Sequence, residues 1–210
     1  MSGGDLTAPR YFVPMLRRAG AVLIAGLLVS ACSGGPESGK SSATQDPSSF
    51  LAAPSNQRAM SGLLDKDGKA VGSAVLAEDR VGVRFELRVT NLPEGDHGVH
   101  IHAFGRCDPP GFDSAGGHFN PLGKVHGKLS TNGSHAGDLG NITVTKDGTG
   151  FLAFTTPHLS LAPGSATNPG TGAGLSIVLH AGADDEKTDP SGNSGARIAC
   201  GVIKLLPPPV

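Results

Sequence analysis

Between Val81 and Val89 apolar and polar residues alternate without a break. Val81, Val83, Phe85, Leu87 and Val89 share one face, and Gly82, Arg84, Glu86 and Arg88 share the other. A period of two over that length predicts a strand with one face buried. Shorter apolar runs follow the same logic at Gly72 to Leu76, Ile142 to Thr145, Gly150 to Thr155, Leu175 to His180 and Arg197 to Leu205. Asp67-Gly68 and Asp147-Gly148 sit between strand-like segments as hairpin signals, and Asn132-Gly133 marks a further turn. No segment carries a helical stripe of useful length. The pattern predicts one all-β domain, a sandwich or barrel, beginning near Ala59.

Upstream of that domain the pattern changes twice. Residues 1–31 read as a signal peptide, with Met15-Leu16-Arg17-Arg18 as the basic region and Ala19 to Val29 as an apolar run too short to span a bilayer. Residues 1–14 precede the basic pair awkwardly, so Met15 is a second candidate for the true start. Val29-Ser30-Ala31-Cys32 resembles a bacterial lipobox, whose cysteine is diacylated and becomes the mature N-terminus; the alternative is an ordinary signal peptide with an incidental cysteine. Residues 32–58 are rich in Ser, Gly, Pro and Ala and lack periodicity, which predicts a tether. A chain of that length spans roughly 25 to 30 Å root-mean-square. The expected location is the bacterial cell envelope: exported, anchored to a membrane through lipidated Cys32, periplasmic or at the cell surface. Residues 59–206 form the folded domain.

Composition adds little about partners. The 32 Gly and 16 Pro suit many short elements joined by turns, and only 4% of residues are aromatic, so Val, Ile, Leu, Phe and Ala must build the core. A net charge of -1 and the lack of a Lys/Arg cluster in the domain argue against nucleic acid. With Cys32 assigned to the lipobox, Cys107 and Cys200 remain as a pair in an oxidising compartment. A disulfide between them would close a loop of about 94 residues, worth roughly 4 to 5 kcal/mol on the chain-entropy account. Two free thiols or two metal ligands are the alternatives.

Chemistry concentrates in one stretch. Five of the eight histidines, His100, His102, His118, His126 and His135, fall between His100 and Asp138, and a sixth, His180, ends an apolar run. Neutral imidazole is a common ligand for zinc and copper, and Asp138, three residues after His135, is a plausible further ligand. On a strand His100 and His102 point to one side and Ile101 to the other, into the core. His118 follows Ser114-Ala-Gly-Gly, a run that allows close backbone approach, and His126, His135 and Asp138 are spread over a Gly-rich loop. Together they predict a buried transition-metal site.

These motifs carry a family resemblance. His100-Ile-His102, Ser114-Ala-Gly-Gly-His118-Phe-Asn-Pro121, His126-Gly127, His135-Ala-Gly-Asp-Leu-Gly140, His180-Ala-Gly-Ala-Asp184-Asp185 and Gly192-Asn-Ser-Gly-Ala-Arg197-Ile-Ala-Cys-Gly-Val-Ile203 are similar to copper/zinc superoxide dismutase, in family order through residues 59–205. The resemblance implies an eight-stranded Greek-key β-barrel, or flattened sandwich, with long metal-binding loops. It implies copper on His100, His102, His118 and His180, and zinc on His118, His126, His135 and Asp138, with His118 bridging. Asp184 would join the outer nitrogens of a copper and a zinc histidine. Arg197 would stand beside the copper and attract the anion, with Cys107–Cys200 pinning the nearby loop that carries Gly105 and Arg106. His97 matches a structural histidine of the family, and His158 matches no ligand.

The implied reaction is dismutation of superoxide to dioxygen and hydrogen peroxide, by a copper redox cycle in which His118 carries a proton and zinc supports it. A homodimer is one of the states that bacterial members adopt. Two departures stand out: the stretch from Cys107 to His118 is longer than in common animal enzymes, and that between His180 and Arg197 is shorter. A non-catalytic copper- or zinc-buffering module of the same fold, and an enzyme using copper alone, are the competing readings. The first would be expected to lack a copper ligand or Arg197, and the second lacks a use for the full zinc set.

Overall fold

The computed structural model describes residues 56–207. The signal peptide, Cys32 and most of the tether lie outside the described residues. Nine strands follow in order: β1 (Arg58–Asp65), β2 (Ala70–Asp79), β3 (Gly82–Val89), β4 (Gly95–His102), β5 (Asp138–Val144), β6 (Gly150–Thr156), β7 (Ser176–His180), β8 (Arg197–Val202) and the two-residue β9 (Lys204–Leu205). The sheet runs β2-β3-β6-β5-β4-β7-β8-β1-β9, and β1 also pairs with β2. That pairing closes eight strands into an antiparallel barrel and leaves β9 as a short extension on β1. β4, β5 and β6 are consecutive neighbours, while β3 returns beside β6 and β7 beside β4, which is Greek-key connectivity. The only helical piece among the described residues is a 3-10 turn at Asp113–Ala115.

Alternation produced this barrel much as expected. Val83, Phe85, Leu87 and Val89 point into the core with Leu63, Leu76, Ile101, Ile142, Ile177 and Leu179. Val81 departs from the expectation: it sits in the β2–β3 turn and is 71% exposed. The period-two pattern outruns the strand by one residue there, because the Asp79 side chain accepts the Val81 amide and ends the pairing.

β4 and β7 break the alternation in a way that places the site. From Gly98 to His102 and from Ser176 to His180 every residue is buried. The inner-facing residues Val99, Ile101, Ile177 and Leu179 belong to the core. Outer-facing His100, His102, Val178 and His180 are covered instead by the long segments 103–137 and 181–196. Cys107 bonds to Cys200 with the Cα atoms 5.6 Å apart, tying the first of these coverings to β8.

Two register shifts complete the arrangement. Val99 pairs with Gly140 but His100 pairs with Asp138, so Leu139 is an extra residue in β5. Leu179 pairs with Ala199 but His180 pairs with Arg197, so Ile198 is an extra residue in β8. A bulge flips the facing of what precedes it. Leu139 therefore enters the core, while Asp138 and Arg197 come out onto the face that carries the histidines.

Reduction of Cys107–Cys200, which closes a loop with a sequence separation of 93, is expected to lower the unfolding free energy by about 2 to 5 kcal/mol. Urea unfolding with and without reductant measures this; coincident curves would show that the clamp contributes nothing.

Candidate metal centre

Each histidine has its free nitrogen chosen by what the other nitrogen touches. His102 Nδ1 donates to the Gly116 carbonyl at 2.8 Å and His180 Nδ1 to the Gly195 carbonyl at 3.0 Å. Both rings therefore turn an unprotonated Nε2 inward, and these two atoms lie 3.4 Å apart. His100 Nε2 donates to Asp184 Oδ2 at 2.8 Å, leaving Nδ1 buried and without a hydrogen-bond partner. His118 Nε2 is likewise buried and unpartnered. His118 itself is set opposite His102 by an isolated bridge, held by Phe119–Ile101 and Gly137–Ile101 backbone bonds of 2.8 Å each. Gly137 has no room for a Cβ, because the Ile101 carbonyl occupies that space.

These four histidines can bring one nitrogen each within 4.8 Å of one another. Buried polar atoms are normally paired, and two orphaned lone pairs in one group of imidazoles fit a cation better than any protein donor. Four nitrogens without a carboxylate suit copper. The sequence-predicted copper set is thus brought together in full.

The second group centres on Asp138. Its Oδ2 accepts the amides of Gly127 and His135, at 2.9 Å each. Its Oδ1 faces His118 Nδ1 at 3.0 Å, His126 Nδ1 at 3.1 Å and His135 Nδ1 at 3.2 Å. One carboxylate oxygen has two lone pairs and cannot accept three imidazole protons. Separations near 3.2 Å are instead the edges of a tetrahedron whose bonds to a central cation are about 2.0 Å, the zinc–nitrogen distance. Three imidazoles and a carboxylate form a closed zinc set, and His118 belongs to both groups. Asp138 opens β5 rather than lying in the preceding loop, where the sequence reading placed it.

Asp184 touches both groups. Its Oδ2 takes His100 Nε2, and its Oδ1 takes His126 Nε2 at 2.9 Å and the Glu186 amide at 2.6 Å. What sequence reasoning missed is the clamp on Asp184 itself: Asn141 Nδ2 donates to its carbonyl at 2.8 Å, and its amide donates to Asn141 Oδ1 at 2.7 Å. Asn141 lies just before the strand that the sequence predicts from Ile142, and it carries no local signal. His126 is further held by its amide donating to Asp189 Oδ1 at 2.7 Å. His97 belongs to neither group and is buried with its ring between the His180 and Pro93 carbonyls, and His158 is exposed.

Burial sets the charge of the imidazoles. It pushes His100 down to about 3, His102 to about 2 and His180 to about 4, and lowers His118, so these rings are neutral at pH 7. Burial acts against protonation of His126 too, but the carboxylates of Asp138 and Asp184 outweigh it and raise this ring to about 10. Although burial opposes their ionisation, hydrogen bonds from the histidines hold both carboxyls well below their usual range. Arg197 Nη1 donates to the Phe112 carbonyl and Nη2 to the Gly116 carbonyl, each at 2.6 Å. Gly116 thereby links the arginine to His102. Among the described residues no carboxylate forms a salt bridge with Arg197.

Comparison with known proteins agrees with this geometry. Residues 70–203 match the family described as copper/zinc superoxide dismutase (SODC). A superoxide dismutase [Cu-Zn] of Aquifex aeolicus is 42% identical over 143 residues, covering 68% of this chain and 85% of that protein. Its counterpart in Deinococcus radiodurans is 42% identical over 156 residues, covering 69% and 82%. The crystal structure of a double mutant of a SOD-like protein from Bacillus subtilis is similar with a TM-score of 0.66 and 43% identity, covering 68% of this chain and 95% of that one. The matched region holds every donor of both groups, and the chain belongs to the copper/zinc superoxide dismutase family, enzymes that use copper and zinc to dismutate superoxide.

Proposed function

We propose that dismutation in this chain runs through copper held by His100, His102, His118 and His180, with zinc held by His118, His126, His135 and Asp138. The observation that carries this is the shared ring of His118, whose two nitrogens face the two groups. Bound copper supplies a one-electron couple and bound zinc a fixed positive charge. Two superoxide ions and two protons give one dioxygen and one hydrogen peroxide. His118 Nε2 is our candidate to hold one of those protons. His100, His102 and His180 each have an outer nitrogen pinned to a carboxylate or carbonyl, whereas the outer nitrogen of His118 belongs to the zinc group.

Arg197 is assigned the task of attracting superoxide. A net charge of -1 gives no general pull on an anion, so a local positive group must provide it. A guanidinium that is fixed by two carbonyls and has no acidic partner among the described residues is suited to that role. The complete copper group and this arginine favour catalysis over a metal-buffering role.

We also infer export and anchoring through Cys32. Support comes from the signal-like residues 15–32 and from the Cys107–Cys200 disulfide, which suits an oxidising compartment. Cys32→Ser in the full chain should shift the protein out of the membrane fraction while activity persists. A native protein that takes up no lipid label would sink the anchoring.

The metal assignment has a direct test. Asp138→Ala should lose zinc more than copper, and His180→Ala should abolish dismutation while keeping zinc. Measured stoichiometries with the opposite pattern overturn the assignment.

Acid should destabilise the metal-free protein. Unfolded histidine titrates near 6.5, while His100, His102 and His180 stay neutral in the fold down to about 4 or below. Below 6.5 the unfolded chain therefore binds more protons, and stability falls by up to about 1.4 kcal/mol per histidine per pH unit. His126 acts in the other direction. Raised to about 10, it contributes stability that is fully present below 6.5 and lost as pH rises through 10. Urea midpoints of the chelator-treated protein should drop steeply from pH 6.5 to 5; flat midpoints would contradict burial of neutral rings.

A further inference from the structure

Arg197 is held at both ends of its guanidinium, and one of the two holds comes from a segment outside either metal group. The two accepting carbonyls, Phe112 and Gly116, flank the 3-10 turn Asp113–Ala115. Gly116 is already tied to the copper group, because its carbonyl also accepts from His102. The Phe112 carbonyl has no such tie; its other donor is the Ala115 amide within the turn, at 3.0 Å.

What fixes that carbonyl is the Phe112 ring. It is 2% exposed and packs with Ala115, Val178, Cys200 and Cys107 in a small apolar cluster separate from the main core. Val178 and Cys200 are paired across β7 and β8, so the ring rests on rigid barrel wall. The backbone points the same way. Phe112 has φ 56 and ψ 26, a left-handed conformation that glycine takes freely and a residue with a Cβ rarely adopts. Burial of the ring offsets that strain and sets the depth at which the carbonyl sits.

We propose that Phe112 is a positioning residue for Arg197: its ring, seated against Val178 and the Cys107–Cys200 disulfide, fixes the carbonyl that orients the guanidinium. A planar guanidinium bonded at both Nη atoms cannot turn about its Nε–Cζ bond, so its remaining N–H groups keep one direction. Loss of the Nη1 partner frees that rotation and blurs the positive end presented to an anion. This inference rests on the anion-attracting role assigned to Arg197 above.

The test is a double-mutant cycle on the full chain loaded with copper and zinc, crossing Phe112→Gly with Arg197→Ala. Glycine keeps the backbone conformation accessible and removes the ring. Arg197→Ala should lower the second-order rate about ten-fold at low ionic strength and Phe112→Gly about three-fold, with the double variant no slower than Arg197→Ala. Azide affinity should fall in the same order, with metal content unchanged. A second readout does not depend on copper: nitrogen NMR of the zinc-only protein should resolve two Nη environments for Arg197, merging into one in Phe112→Gly. Phe112→Leu keeps apolar bulk, should restore part of each effect, and replaces the glycine variant if that one fails to fold. A normal rate in Arg197→Ala would remove the steering role, while the NMR readout still decides the positioning. Two distinct Nη environments in both Phe112 variants, or an equal rate loss from Phe112→Gly in the wild-type and Arg197→Ala backgrounds, overturns the proposal.

Discussion

The parity of a strand is the constraint on which this site depends. Successive side chains on a barrel wall point alternately inward and outward, so a residue one place out of step lies on the wrong face. His100, His102 and His180 are in step on the outer face. Asp138 and Arg197 would not be, were the ladder regular. One extra residue in β5, Leu139, and one in β8, Ile198, correct this. Leu139 goes into the core, Ile198 packs at its edge, and the carboxylate and the guanidinium emerge beside the histidines. Two small irregularities, one in β5 and one in β8, thus set which groups meet.

The second requirement is charge balance in a dry place. Six buried imidazoles and two buried carboxylates share the space beneath the loops. Burial keeps the copper-side rings neutral, and neutral rings are what a metal needs. On the zinc side two carboxylates instead raise the His126 ring to about 10, so a zinc ion bound there would have to compete with a proton. Asp184 makes the two sides one structure. It touches a ring from each group, and Asn141 clamps its backbone to β5. A disturbance of the 181–196 segment is therefore felt in both groups.

Much of this was legible in the chain, for physical reasons that also mark where legibility stopped. Alternation at His100-Ile101-His102 fixes which side each residue faces, and the structure agrees. Turn dipeptides at Asp67-Gly68 and Asp147-Gly148 do join β1 to β2 and β5 to β6. Alternation misled at Val81, where a turn interrupts pairing without interrupting the pattern. The bulges left no local trace: Asp138-Leu139-Gly140 reads as the end of a loop, and Arg197-Ile198-Ala199 as ordinary strand. Nor could the contact from Arg197 to Phe112 be read, because it joins residues 85 apart whose meeting depends on the closed barrel. Donor types were visible in the sequence; the backbone carbonyls and amides that aim them were not.

The barrel and the loops divide the chemistry between them. Three members of the copper group, His100, His102 and His180, lie on β4 and β7, where ladder bonds and an outer acceptor on each ring leave little freedom. His118 is the exception, reaching the group from a covering segment through a single bridge to β4. Its ring faces the zinc donors on one side and the copper donors on the other, with no carbonyl to pin it. In the proposed cycle, a residue that would hold a metal at one stage and a proton at another would need looseness at one nitrogen and a firm hold at the other. Asp138 and the two rings beside it provide the firm hold. On the proposed assignment, the zinc group would serve as the mount for the one copper ligand that the barrel itself does not fix.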